Sequence, residues 1–320
     1  WFGATVGGET RAAVAVYGQE FGPGVILRDG EFTDPDAVWD DAEDPAYVVY
    51  KVARWTGDPT DSTHLERTVD ANDGTATDPI VHHSWNEYMT GAVPKGAPWK
   101  TYRLPDPASP GDSLDVPGPD VSGDQMLWCV YNDADPSRHT DNAGNTAPMG
   151  IEIRQTTFSF DRQGALGNTI FIKLEIIHPH LATATDAVYR STLEDMYVSL
   201  WADVDLGGST DDLVGCDTTL SLGYTYNATN NDQTYGSAPP AVGYDFFQGP
   251  RGLGGETLGL TSFNKYINGT DPNDVVSTYN YMQGLLPTGE DLINPVTGEP
   301  THYYNSGDPV MGTGWLDNNA

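Results

Sequence analysis

The segment NTIFIKLEIIH (Asn168–His178) places Ile170, Ile172, Leu174 and Ile176 at every second position. A spacing of two is the period of a strand, in which alternate side chains share one face. The same habit runs through QMLWCVYND (Gln125–Asp133), MGIEIRQTTFSFD (Met149–Asp161), DMYVSLWAD (Asp195–Asp203) and TTLSLGYTYN (Thr218–Asn227). RAAVAVYG (Arg11–Gly18) and AYVVYKVARW (Ala46–Trp55), rich in Val and Tyr, read as earlier strands. Successive strands separated by turn residues specify an antiparallel sheet. The expected fold is therefore mainly β, an antiparallel β-sandwich core with long loop-rich extensions. RSTLEDMY (Arg190–Tyr197) begins as a helical turn, and nothing longer reads as helix.

The 320 residues include 36 Gly and 23 Pro, a load that suits turns better than helices. With 8 Trp, 17 Tyr and 9 Phe spread along the chain, there is still material for a core. Three regions are expected: 1–119, loop-rich with short strands; 120–250, the sandwich core with acidic loops; and 251–320, loop-rich and packed on that core. LPDPASPGDSLDVPGPD (Leu104–Asp120) reads as a long ordered excursion on the surface, with a linker as the alternative.

Charge removes several function classes. There are 46 acidic against 15 basic residues, a net charge of −31. Such a chain repels phosphate backbones and anionic lipid, so no nucleic-acid partner is expected. No stretch approaches the ~20 apolar residues of a membrane span, so no membrane insertion is expected either. Carboxylates at this density serve solubility in a salty medium, divalent cation binding, or both. The first residue is Trp rather than Met, which reads as a processed or trimmed chain. Asn227-Ala-Thr and Asn268-Gly-Thr are formal N-glycosylation sequons.

The cation reading has two addresses. ADVDLGGSTDDLVGCD (Ala202–Asp217) joins two period-two segments and carries Asp203, Asp205, Asp211, Asp212 and Asp217. Gly207, Gly208 and Gly215 give its backbone freedom to wrap a small centre. Calcium takes six to eight oxygens from carboxylates, carbonyls and water. The two-residue step from Asp203 to Asp205 sets both carboxylates on one side of an extended segment. The pattern is not an EF-hand, magnesium prefers fewer protein ligands, and no His stands near Cys216 to suggest zinc. The competing reading is a plain solvated acidic loop. The second address, YNDADPSRHTDNAGNTAP (Tyr131–Pro148), offers Asp133, Asp135 and Asp141, with an Asx-turn-rich loop as its alternative. Cys129 and Cys216 accompany one loop each, and either form a disulfide or stay as two buried thiols. If they pair, both loops meet at one end of the sheet and a shared or double calcium site follows.

Catalytic signatures are absent: there is no Gly-x-Ser-x-Gly, no His-Glu-x-x-His and no P-loop. His178 and His180 stand two apart in a Pro-containing segment, as metal ligands or as plain surface. With 46 acidic residues, a glycosidase-like carboxylate pair carries no information. Trp85, Trp99 and Trp315 stack on sugars or belong to the core.

At LWCVYNDADPSRHTDNAGNTAPMGIEI, GNTIFIKLEII, YVSLWADVDLGGSTDDLVGCDTTLSLGYTYNATN, YGSAPPAVGYDFFQGP and TSFNKYINGTDP, the chain resembles large secreted bacterial proteins of undefined function. These are of the Bacteroidetes type and often carry a C-terminal secretion-sorting segment. The resemblance spans roughly residues 120–320, with GGETRAAVAVYGQEF as a looser match near the start. It implies export, to the cell surface or beyond, and brings no activity with it. Together these readings lead to one expectation, a secreted, calcium-stabilised structural or adhesive protein. It would be a subunit of a filament, sheath or surface layer, self-associating or binding other cell-surface components. A carbohydrate-binding module or glycan-acting enzyme, with glycans as partner, is the alternative. A calcium-dependent hydrolase ranks third.

Overall fold

A computed structural model describes residues 1–16, 19–53, 81–83, 85–106, 108–252, 254–267 and 270–317. The chain opens with the hairpin β1 (Phe2–Val6) and β2 (Glu9–Ala13), followed by β3 (Gly22–Pro23), β4 (Val49–Ala53) and β5 (Val81–His83). Helix α1 (Trp85–Thr90) leads into the hairpin β6 (Trp99–Pro105) and β7 (Ser113–Pro119). Then come β8 (Gln125–Asn132), β9 (Glu152–Ser159), β10 (Ile170–Ile177) and β11 (Glu194–Val198). β12 (Asp212–Asp217), β13 (Leu222–Asn227), β14 (Asn231–Asp232), β15 (Gly236–Ser237) and β16 (Val242–Asp245) follow. Helix α2 (Val275–Met282) and a last small pair, β17 (Leu292–Ile293) and β18 (Pro300–Thr301), complete the described strands and α-helices. The expected mainly-β, largely antiparallel fold is what forms.

Two compact units share this chain, and they interleave. One comprises Trp1–Glu20, His139–Ala147 and Thr192–Ala320; the other comprises Phe21–Arg138 and Pro148–Ser191. The expected middle block, 120–250, thus contributes strands to both. Among the described residues no helix is long and apolar enough to cross a membrane.

The unit holding β8 is built on a six-stranded sheet of order β10-β9-β8-β4-β5, with β3 added alongside β8. Among the described residues, only the β4–β5 pairing is parallel within it. Along β8, Met126, Trp128 and Val130 are buried, while Leu127, Cys129 and Tyr131 are half-buried on the other face. Tyr50 and Val52 of β4 stand opposite Trp128 and Met126 and join the same core with Tyr88 and Ala97. The Tyr50 ring meets the Trp128 ring at 6.1 Å and the Tyr88 ring edge-on at 6.2 Å. Burying aromatics on one face of a strand is what holds its register, since a one-residue slip would turn them to solvent.

β10 forms the expected strand, with its aliphatic face turned away from the core. Its register with β9 sets Lys173 opposite Thr156, in line with Trp128, so Phe171, Lys173 and Glu175 share the core-side face. Ile170, Ile172, Leu174 and Ile176 lie on the opposite face and are 70%, 54%, 38% and 38% exposed. The period announced a strand correctly, but its apolar face covers no core among the described residues. The described residues of Leu104–Asp120 include the end of β6 and all of β7, which pair from Trp99↔Pro119 to Pro105↔Ser113.

The other unit carries the sheets β11-β1-β2 and β12-β13-β16 and the two small pairs β14-β15 and β17-β18. Ala12, Val14 and Ala143 form a buried cluster against Trp1, Val16 and Val275. Helix α2 starts cleanly: Asp274 accepts the Ser277 N–H at 2.7 Å, and the Ser277 hydroxyl accepts from the Asp274 N–H. The Thr278 hydroxyl then donates to the Ala143 carbonyl at 2.6 Å, tying the 139–147 segment to the helix.

Candidate functional site: the acidic loop and its strand

The acidic loop is shorter than its sequence suggests, because its second half is β12. Asp212 and Asp217 are the two ends of that strand, roughly 16 Å apart at ~3.3 Å per residue, too far to share one cation. Asp203 and Asp205 are exposed and Asp211 is half-buried. Asp217 closes its own turn, accepting the Thr219 hydroxyl at 2.6 Å and the Thr219 N–H at 2.9 Å. Those bonds, the hydroxyl first, hold its carboxyl below the usual range.

Asp212 differs from the others. Its Oδ2 accepts the Leu206 N–H at 2.8 Å, while its Oδ1 is buried with no hydrogen-bond partner. Directly across the ladder stands Asn227, whose side-chain Oδ1 and Nδ2 are also buried and unpartnered. Burial raises the Asp212 carboxyl above its ordinary value, and the negative charges of Asp211, Asp205 and Asp232 raise it further. The side-chain burial of Asn227 is also at odds with glycosylation at that sequon; Asn268 lies outside the described residues.

Sequence reasoning missed Asp232. It is buried, its Oδ2 accepts the Gly208 N–H at 2.8 Å, and its Oδ1 accepts the N–H groups of Thr234 and Tyr235 at 2.7 Å each. These backbone donors hold its carboxyl below the usual range, Tyr235 foremost. Its signal was faint, a single Asp ending the two-residue strand β14 of a short hairpin. Gly207 explains why the loop needs glycine there: φ is +86°, and a Cβ would sit 2.2 Å from Asp232 Oδ1. Among the described residues, no three His, Cys, Asp or Glu side chains form a group able to hold a metal by themselves. The Asp212–Asn227 pair supplies two buried oxygens, and the exposed carboxylates supply charge around them.

In the second acidic segment each aspartate closes a local backbone contact of its own. Asp133 is fully buried and works as a clamp, its Oδ2 accepting Met149 N–H at 2.6 Å and its Oδ1 accepting Ile151 N–H at 2.7 Å. Asp135 accepts the Ser137 N–H at 2.9 Å and lies 3.6 Å from the Arg138 guanidinium. Asp141 belongs to the other unit and accepts the Ala143 N–H at 2.9 Å. Cys129 and Cys216 are free thiols here, one in each unit. Each sits on a strand; burial pushes Cys129 up to about 11 and, with the charge of Asp217 adding to it, Cys216 up to about 12. The Cys216 thiol donates to the Tyr304 carbonyl at 3.4 Å.

The His178 ring faces backbone carbonyls on both sides, Gly150 at 3.0 Å from Nδ1 and Val188 at 3.1 Å from Nε2, and stacks on Tyr189. It is committed to the fold and unavailable to a metal. Trp99 is exposed, Trp315 packs on Tyr304 with centroids 4.6 Å apart, and the side chain of Trp85 lies outside the described residues. A cleft of about 360 Å³ lies elsewhere in the same unit as Asp212. Trp1 and Tyr266, stacked at 6.2 Å, line it together with Asp141 and Asp271.

The fold and this site define a mainly-β protein whose acidic loops are closed largely by their own carboxylates. The chain matches no family model, no curated protein and no solved structure.

Proposed function

We propose that this chain is a structural or adhesive protein of the cell exterior, calcium-stabilised and assembling with itself or with other surface components. The observation that carries the reading is how the carboxylates are used. Asp34, Asp41, Asp44, Asp106, Asp135, Asp141, Asp217 and Asp308 each accept the N–H two residues ahead. This Asx-turn geometry lets a short acidic side chain close a loop that lacks sheet hydrogen bonds. The acidity is thereby distributed into the architecture of the loops instead of converging on a reacting centre. The calcium part of the reading rests on Asp212 and Asn227, whose unpartnered buried atoms are costly unless a ligand reaches them.

Sedimentation velocity of the full chain, with calcium and after chelation, tests the assembly claim. Protein that stays monomeric at high concentration with calcium present would sink it. Thermal unfolding with and without EDTA tests the cation, because an ion bound only by the native state raises the midpoint.

The cleft favours a second reading, glycan binding. Aromatic faces beside carboxylates suit a sugar's apolar face and hydroxyls, and Trp1, Tyr266, Asp141 and Asp271 supply both. Saturable binding on a glycan array, abolished in Tyr266→Ala, would move the assignment there.

A further inference from the structure

We infer that β10 is the seam of a two-fold dimer, pairing antiparallel with β10 of a second copy of this chain about an axis at Leu174. The inference rests on the self-assembly reading above and names its surface.

The strand ends its sheet, with β9 as its only neighbour there among the described residues. Its eight residues pair with β9 without a break, from Ile170↔Ser159 to Ile177↔Glu152, so no bulge twists the free edge away. It contains no proline, and its apolar face is open to solvent. An edge of this length and regular register is the kind that pairs with another strand unless charge, proline, a bulge or a cover prevents it.

The charges on β10 select the partner. Lys173 and Glu175 flank Leu174, both exposed, at 61% and 46% for their side chains. Their ammonium and carboxylate meet at 2.5 Å within the strand, an exposed pair worth little by itself. When a second β10 runs antiparallel with Leu174 opposite Leu174, Lys173 of each copy faces Glu175 of the other. The same register sets Ile172 against Ile176 and Phe171 against Ile177. Every pair then joins side chains of the same face, so the two aliphatic stripes become one continuous stripe across the seam.

Neighbouring registers fail on the same residues. Centring on Lys173 or on Glu175 opposes identical charges, and a one-residue slip sets the aliphatic face of one copy against the charged face of the other. Two-fold symmetry closes the contact, so each copy's free edge is used up. A chain of net charge −31 also needs local cations at any self-contact, and Lys173 places one from each copy at the seam.

Charge swapping tests this. Lys173→Glu and Glu175→Lys, each alone, should weaken self-association roughly tenfold or more by sedimentation equilibrium, since each creates two like-charge pairs. An equimolar mixture of the two variants should restore dimers, because the glutamate introduced in one then meets the lysine introduced in the other. The double variant should dimerise alone. Restoration on mixing also shows that both variants are folded. If the unmodified protein is monomeric at all concentrations, the assembly reading and this seam fall together. If it assembles and the single variants assemble equally well, or if mixing restores nothing, the seam is wrong while the assembly reading stands.

Discussion

Nδ1 of His139 lies 3.8 Å from Oε2 of Glu20, with both side chains almost wholly withdrawn from solvent. The carboxylate is pinned as well as buried: Oε2 accepts the Val14 N–H at 3.0 Å and Oε1 accepts the Asn145 N–H at 2.9 Å. Glu20 is the last residue before the chain leaves its unit, and it fastens the returning 139–147 segment to the start of the chain.

Burial raises the Glu20 carboxyl above its ordinary 4.5, against the pull of Asn145, His139 and Val14; the charge of Asp141 adds to the rise. A carboxyl whose folded pKa exceeds its unfolded one keeps a proton that the unfolded chain releases. Its contribution is therefore fully present below about pH 4.5 and is lost as pH rises through the folded value. Glu20→Gln removes that dependence. Urea midpoints taken in pH steps upward from 4.5 should show wild-type stability falling relative to the variant. Parallel curves would refute the assignment.

Gly144 stands against the same carboxylate, and a Cβ there would lie 2.1 Å from Glu20 Oε2. Because two backbone N–H groups hold that oxygen pair, it cannot swing aside. Gly144→Ala should cost about 1–3 kcal/mol of stability, the range for overpacked sites, read from chemical denaturation.

Asp133→Asn should cost a similar amount, about 1–3 kcal/mol, since the amide offers a donor where Met149 or Ile151 presents an N–H. Both contacts are buried, at 2.6 and 2.7 Å. The loss should be the same with calcium and with EDTA, which separates a backbone clamp from a cation ligand.

Asp212→Asn should behave in the opposite way. Relieved of the charges of Asp211, Asp205 and Asp232, the variant should be at least as stable as wild type in EDTA. Calcium should raise the wild-type melting temperature and leave the variant unmoved. A variant that responds to calcium like wild type removes Asp212 from the cation reading.

Gly207→Ala should be among the costliest changes in the acidic loop, about 2 kcal/mol or more, combining a left-handed backbone with a contact that must give. The contact is the Asp232 carboxylate, itself held by three N–H groups of Gly208, Thr234 and Tyr235. Differential scanning calorimetry would read the shift.

Much of the strand order was legible because alternation is local. The segments 125–133, 149–161 and 168–178 contain β8, β9 and β10 with their ends trimmed by a few residues. β12 was hidden because its aspartates stand at its ends, where sequence reasoning read them as loop ligands; the pairing Cys216↔Gly223 and its neighbours made it a strand. The face of β10 was equally unreadable, since period two reports that one face is apolar and leaves open what lies against it. Of the site, Asp212 was named from the sequence, whereas Asn227 and Asp232 come to it only through long-range pairing and turn contacts.

The interleaving of the two units sets an order on synthesis. Every residue of the unit built on β8 has left the ribosome once Ser191 emerges, whereas the other still awaits Thr192–Ala320. Domains form as their chain becomes available. The hairpin β1–β2 and the 139–147 segment must therefore wait, tethered to an already folded neighbour, until residues Thr192–Ala320 arrive to enclose them.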